Sequence, residues 1–270
     1  VSGTGGGNTD LDIFNGNMTD GGGANNLIGT NSVVAQLSNG NLVVVNQDTD
    51  SIRFAIRSAT GASVVAQQDL GDTGSSNADV AAVSPGGFWI ANMDNISTSN
   101  SNIEIRRRDN SGAAIGSTIV VDSSSANDID PKLVQMPGGN VAVAWTRTAF
   151  LSNQVWYAIY TSSGTTVVPP TVADNVGIVN RLGDIESTSV GFALTYADTE
   201  WDGGTSDITL ARFTTAGVLI GKTNISDPNG TENIANERNP QIARLSNALL
   251  LVGWEDNHLG EADTNTIVWL

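Results

Sequence analysis

The chain has no cysteine and only one histidine, His258. Without cysteine there can be no disulfide bond, no thiol catalysis and no cysteine-ligated zinc site. With a single histidine, a Ser-His-Asp triad would have to use His258, and a metal site built from several histidines is excluded. We interpret His258 as an exposed loop residue, because it has no histidine partner.

Charged residues are scarce at 15% of the 270 residues, and basic ones are the scarcest. Twelve Lys and Arg against 28 Asp and Glu give a net charge of −16, which repels phosphate backbones and anionic membrane surfaces. We therefore expect no nucleic-acid partner. No apolar run approaches the ~20 residues of a membrane span, so we expect no membrane insertion. No charged-then-apolar leader stands at Val1, so we expect either a cytosolic or an already processed chain. The few lysines, the many Asn, Thr and Gly residues and the acidic pI fit a bacterial extracellular or cell-surface protein better than a cytosolic one.

What the chain does have is an internal repeat, in which a two-strand unit with a Gly or Asn turn is followed by a polar loop and a second hairpin. Two copies begin at a residue that precedes proline, and their second strands end at Trp145 and Trp254. The two-strand unit is found at residues 33–45, 80–91, 130–145, 185–196 and 239–254. Its copies recur about every 50 residues, a spacing typical of a β-propeller with four short strands per blade.

We predict an all-β, five-bladed β-propeller over residues 11–270, preceded by a flexible Gly-rich tail at residues 1–10. Residues 266–270 form the third strand of the last repeat, which lacks a fourth, whereas residues 11–17 form a strand-like segment with no partner of its own. We expect residues 11–17 to complete the last blade, which would hide the exposed sheet edges. The alternative is a β-sandwich, which would not require a shared repeat.

One stretch of the repeat also carries a family resemblance. Residues 197–204 are followed by Asp207-Ile208, then Arg212-Phe213 and Ala216-Gly217. This pattern resembles repeats in bacterial surface and haemolysin-type calcium-binding adhesins, and residues 120–145 and 197–254 match it best. The resemblance implies an extracellular, repeat-built surface protein. It carries no catalytic residue to this chain.

An acidic loop, residues 198–207, is a candidate calcium site. Its proposed ligands are Asp198, Glu200, Asp202 and Asp207. Alternating acidic side chains around a glycine turn supply the hard oxygen ligands that Ca²⁺ prefers. The closing aspartate falls one residue late, and a glutamate stands where short calcium loops carry Asp or Asn. The alternative is a solvated acidic hairpin loop.

Trp201 interrupts this run of acidic and glycine residues, unlike Trp145 and Trp254, which we predict to be core residues. An exposed indole beside carboxylates can stack on a sugar ring while the acids accept its hydroxyl protons. The predicted ligand-binding residues are therefore Trp201, Glu200 and Asp202. The alternative is that Trp201 folds back over a neighbouring blade.

Taken together, the sequence favours a non-catalytic extracellular binding or adhesion module, not an enzyme, that recognises a glycan or a surface protein. Calcium is the only cofactor expected. One alternative is a self-assembling structural subunit of a surface layer or filament. Another is a glycoside hydrolase, which needs two or three carboxylates around a central funnel. Candidate funnel residues at the start of the innermost strands are Asn31, Asp79, Asp130, Asp184, Glu186 and Asn239.

Overall fold

A computed structural model describes the chain in nine stretches. They are residues 30–48, 51–71, 73–148, 153–174, 181–201, 205–227, 237–246, 248–256 and 263–269. Within these stretches all regular structure is β-strand. None of the described residues belongs to a helix that could cross a membrane. Residues 1–10 and 11–17, predicted to be a flexible tail and a closing strand, lie outside the described residues.

Nineteen strands follow one another through the described residues in five groups, which we call modules. The first module contains β1 (Thr30–Gln36), β2 (Leu42–Asp48), β3 (Ser51–Arg57) and β4 (Ser63–Asp69). The second contains β5 (Ser75–Ala82), β6 (Phe88–Ser97), β7 (Asn100–Arg108) and β8 (Ile119–Asp122). The third contains β9 (Asn127–Gln135), β10 (Val141–Thr148), β11 (Asn153–Tyr160) and β12 (Thr166–Asp174). The fourth contains β13 (Arg181–Ser187), β14 (Gly191–Asp198), β15 (Asp207–Thr214) and β16 (Leu219–Asn224), and the fifth β17 (Arg238–Arg244), β18 (Leu250–Asp256) and β19 (Asp263–Trp269).

Each module is an antiparallel sheet in which consecutive strands pair. Strand pairing also joins the second and third modules, at one parallel pair, Ser101 with Asn127. The innermost strands β1, β5, β9, β13 and β17 lie beside one another in chain order. This repeated unit confirms the predicted all-β architecture, and it gives no support to the β-sandwich alternative.

The innermost strands share a local irregularity near their first residues. Four residues have left-handed backbone conformations there, with φ of 52° at Asn31, 48° at Asn77, 53° at Asp130 and 53° at Asn239. Each lies where the register with the second strand shifts, which marks a β-bulge. Asn and Asp are the non-glycine residues that adopt this conformation most readily. The bulge therefore explains why these residue types recur at this position.

The core lies between successive modules, where the faces of their sheets pack together. Trp145 is fully buried and Trp254 is 4% exposed, as predicted for core positions. Between the third and fourth modules, Tyr157 packs on Phe192 and Phe213, whose rings stack with a centroid separation of 4.9 Å. Such aromatic pairs stabilise by about 0.5–1.5 kcal/mol beyond the area they bury.

Candidate functional site

The innermost strands surround a cavity of about 460 Å³, a volume within the usual ~300–1,000 Å³ of ligand pockets. All five innermost strands contribute residues to its wall. The structure places the predicted funnel residues Asn31, Asp130 and Asn239 in this wall, together with Lys132 and Arg181. We call it the axial cavity.

Side-chain hydrogen bonds connect the first four modules at the mouth of the axial cavity. Asn31 donates from Nδ2 to Asn77 Oδ1 over 3.1 Å, and Asn77 donates from Nδ2 to Asp130 Oδ1 over 2.9 Å. Arg181 donates from Nη2 to Asp130 Oδ2 over 2.9 Å. Asp130 is therefore an ion-paired carboxylate that remains at the cavity wall, where a ligand can reach it.

Three further predicted funnel residues, Asp79 on β5 and Asp184 and Glu186 on β13, are not among the residues that line the axial cavity. Each accepts a backbone N–H from the next module: Asp79 Oδ2 from Leu133 over 2.8 Å, and Asp184 Oδ2 from Ile242 over 3.2 Å. Glu186 Oε2 accepts the N–H of Arg244 in the same way, over 3.2 Å. These carboxylates thus fix neighbouring innermost strands relative to each other.

Burial is the largest influence on the pKa of both Asp79 and Asp184. It raises the pKa of Asp79 to about 6, although the nearby Lys132 ammonium and the N–H of Leu133 favour the ionised form. Burial raises the pKa of Asp184 as well, although the hydrogen bond from the Ile242 N–H and the charge of Lys132 both lower it. The negative charge of Asp184 adds to the upward shift at Asp79. Asp79 is therefore an acid that still holds its proton in a mildly acidic medium.

A second cluster, the acidic cluster, joins Asp198 and Glu200 of the acidic loop to Asp174 at the end of β12. Carboxylate oxygens of Asp174, Asp198 and Glu200 lie within 4.8 Å of one another. Lys222 Nζ donates to Asp174 Oδ2 over 3.0 Å and also to Glu200 Oε2. A protein ammonium group therefore already binds two of the three carboxylates.

Asp198 is fully buried within this acidic cluster. It accepts a hydrogen bond from Thr209 Oγ1 over 2.6 Å and another from the N–H of Glu200 over 2.9 Å. Burial nevertheless raises its pKa to about 6, and the charges of Asp174 and Glu200 act in the same direction.

Of the four predicted calcium ligands, only Asp198 and Glu200 belong to this group of three carboxylates. Asp207 is the cross-strand partner of Asp198 and is 2% exposed. Asp202 lies outside the described residues. Calcium binding by this loop stays a prediction, and Lys222 is the cation that Ca²⁺ would have to displace.

Trp201 is 40% exposed and lies against its own module. Its Nε1 donates to Thr209 Oγ1 over 2.7 Å, and Lys222 Nζ is 5.6 Å from its ring centroid. The exposed part of the indole is a surface on which a sugar ring can stack. Trp201 as a ligand-binding residue, with Glu200 and Asp202, stays a prediction.

Sequence reasoning missed the cationic members of both sites. Arg181 and Arg238 line the axial cavity, and Lys222 pairs with Asp174 across 48 positions of the chain. One signal was available: the chain has only two lysines, Lys132 and Lys222, and each lies beside two carboxylates in the structure.

No family model matches the chain, and no curated protein sequence matches it. Solved structures do match. An α-L-arabinofuranosidase from Lactobacillus brevis has a TM-score of 0.54 at 9% identity, covering 89% of this chain and 90% of that one. A Penicillium chrysogenum α-L-arabinanase complexed with arabinobiose has a TM-score of 0.54 at 11% identity, covering 87% of this chain and 80% of that one. An endo-arabinase from Bacteroides thetaiotaomicron has a TM-score of 0.50 at 11% identity, covering 90% of this chain and 95% of that one.

These neighbours are β-propellers, and at such low identity the likeness is one of fold. They are carbohydrate-degrading enzymes, so the prediction of a non-catalytic, non-enzymatic adhesion module is contradicted. The comparisons give no support to a surface-protein partner or to self-assembly.

Proposed function

We propose that this chain is a glycoside hydrolase whose substrate enters the axial cavity at the first residues of the innermost strands. The observation that carries the proposal is that two carboxylates on neighbouring innermost strands have different environments. Asp130 is ion-paired with Arg181 at the cavity wall, whereas burial raises the pKa of Asp79, outside the lining residues, to about 6. Glycosidases need this division between an ionised carboxylate and a protonated acid.

The roles follow from these environments. Asp79, on β5, is the candidate general acid that protonates the glycosidic oxygen as the bond breaks. Asp130, on the neighbouring β9, is the candidate ionised partner that activates water or attacks the sugar carbon. Asn31 and Asn239 offer amide groups to sugar hydroxyls at the mouth. The fold neighbours named for arabinan-degrading activities support including arabinan among the polysaccharides to be tested.

The test is release of reducing sugar from a panel of polysaccharides that includes arabinan, with purified full-length chain. We expect Asp79→Asn and Asp130→Asn each to lower the rate about 100-fold or more, the usual contribution of a general acid or base. Asp69→Asn is the matched control, because Asp69 lies on the outer strand β4 and pairs with Arg53. The rate should fall as pH rises above about 6, since Asp79 then loses its proton. No release from any polysaccharide would overturn the proposal.

We also propose that the five modules close into a five-bladed ring, with residues 11–17 as the fourth strand of the fifth module. Two observations support this: all five innermost strands line one cavity, and the fifth module has three strands within the described residues. Deleting residues 1–17 should lower the melting temperature, whereas deleting residues 1–10 should leave it unchanged. Equal melting temperatures for both deletions would contradict the closure.

A further inference from the structure

The axial cavity carries the opposite charge balance from the rest of the chain. Of the 12 basic residues in the chain, three line the cavity: Lys132, Arg181 and Arg238. Of the 28 acidic residues in the chain, Asp130 is the one found among the described lining residues. A protein with a net charge of −16 repels anions over most of its surface. Cationic groups concentrated at one concave site are therefore a local exception.

The two arginines keep donors available for a ligand. Side chains of Arg181 and Arg238 are 61% and 60% exposed. Arg181 donates from Nη2 to Asp130, and Arg238 donates from Nε to Glu255 over 2.9 Å. A guanidinium has five N–H donors in a planar fork, so one ion pair leaves others free to bind a carboxylate or sulfate in a bidentate manner.

Lys132 also lines the cavity, two residues after Asp130 on β9. Its positive charge acts on the carboxylates of Asp79 and Asp184. We therefore assign the recognition of an anionic ligand to the two arginines.

We propose that the substrate of the axial cavity is an anionic glycan, one whose sugar carries a carboxylate or sulfate group bound by Arg181 and Arg238. This inference rests on the proposed glycoside-hydrolase function and adds the substrate class. A neutral glycan would gain nothing from two exposed guanidinium groups. An anionic one gains charge-assisted hydrogen bonds from both guanidinium groups.

Calorimetric binding of a trigalacturonate probe, compared with its neutral methyl ester, tests the substrate class. We expect the acid to bind at least 10-fold more tightly than the ester, and added salt to weaken only the acid. Arg181→Gln and Arg238→Gln should each reduce acid binding about 10-fold, with the ester unchanged. Arg212→Gln is the control, because Arg212 is exposed on β15 and outside the cavity lining. Arg181→Lys keeps the charge without the fork and should restore part of the affinity.

Equal binding of acid and ester overturns the anionic-glycan inference, and so does an equal loss of affinity in Arg212→Gln, which would indicate non-specific attraction. Unaltered melting temperatures show that the variants are folded.

Hydrolysis is measured separately. Release of neutral sugars with no preference for acidic ones contradicts the inference but not the hydrolase. Tight acid binding without any bond cleavage contradicts the hydrolase and leaves an anionic-glycan binding site.

Discussion

Lys222 Nζ lies 3.0 Å from Asp174 Oδ2 and thereby joins the outer strands of the fourth and third modules. Asp174 also accepts a hydrogen bond from the Tyr196 hydroxyl over 2.7 Å. The side chain of Asp174 is 2% exposed and that of Lys222 is 18% exposed, so solvent screens this pair little. Burial works against the charged form of Lys222, but the hydrogen bonds to Glu200 and Asp174 outweigh it and raise the Lys222 pKa.

Replacing Lys222 with methionine should destabilise the protein by about 3 kcal/mol, because it leaves buried carboxylates without their counter-ion. Urea unfolding at pH 7 measures the change. Arg212→Gln, an exposed substitution in the same module, should stay within about 0.5 kcal/mol of the unmodified protein. An equal effect of the two substitutions would show that the ion pair contributes little.

Calcium binding by the acidic cluster should compete with Lys222. We expect 1 mM Ca²⁺ to raise the melting temperature of Lys222→Gln more than that of the unmodified protein, because the substitution removes the ammonium group that competes with the metal for Asp174 and Glu200. Asp198→Asn in the Lys222→Gln background should remove the increase. Identical calcium responses with and without Lys222 would mean that the ion, if bound, lies elsewhere.

Stability should decrease as pH rises from about 4 to about 6. Burial raises the pKa of both Asp79 and Asp198 to about 6, so the folded state holds protons there that the unfolded chain has already released. Their stabilising effect is complete below the unfolded value near 4 and is lost as pH passes through 6. Acids with a lowered pKa, such as Asp122, affect the stability only at a pH below this range.

The change amounts to on the order of 2–3 kcal/mol for each of these two groups. Urea midpoints at pH 4.5, 5, 6 and 7 measure it. Asp79→Asn removes one titrating group and should flatten the curve. A midpoint that rises over this range would contradict the assignment.

Gly183 on β13 is expected to tolerate no side chain. A Cβ there would lie 2.2 Å from the carbonyl oxygen of Pro240 and 2.5 Å from its Cγ, so Gly183→Ala would push β13 and β17 apart. We expect a loss of about 2 kcal/mol or more. Gly221→Ala is the control, since its Cβ would meet nothing closer than 3.9 Å, from Arg212. Thermal unfolding of both variants decides the matter, and equal melting temperatures would refute the close approach.

The fold could be predicted from the sequence because each module has its own local sequence pattern. Alternating apolar positions, turn glycines and a tryptophan at the end of the second strand repeat, and all of these features act within a few residues of each other. Asn31, Asp130 and Asn239 could be placed at the funnel for the same reason. They stand at one position of the repeat, where the bulge requires a residue that accepts a left-handed backbone.

The electrostatics of the sites could not be predicted in this way. Asp79 and Asp184 repeat like funnel residues, but the N–H groups they bind belong to the next module, more than 50 positions along the chain. Pairing of Lys222 with Asp174 likewise depends on how two modules stack. A repeat alignment shows what each module contains, whereas these contacts arise only between modules.

Each module is formed by a continuous stretch of chain, and its innermost strand packs beside that of the next module. Such nearest-neighbour order keeps contacting residues close in sequence, which favours rapid folding for an all-β protein. During synthesis, each newly emerged sheet can therefore dock on the one made just before it. The nascent protein grows as a stack of finished units and need not await its last residue to begin burying its core.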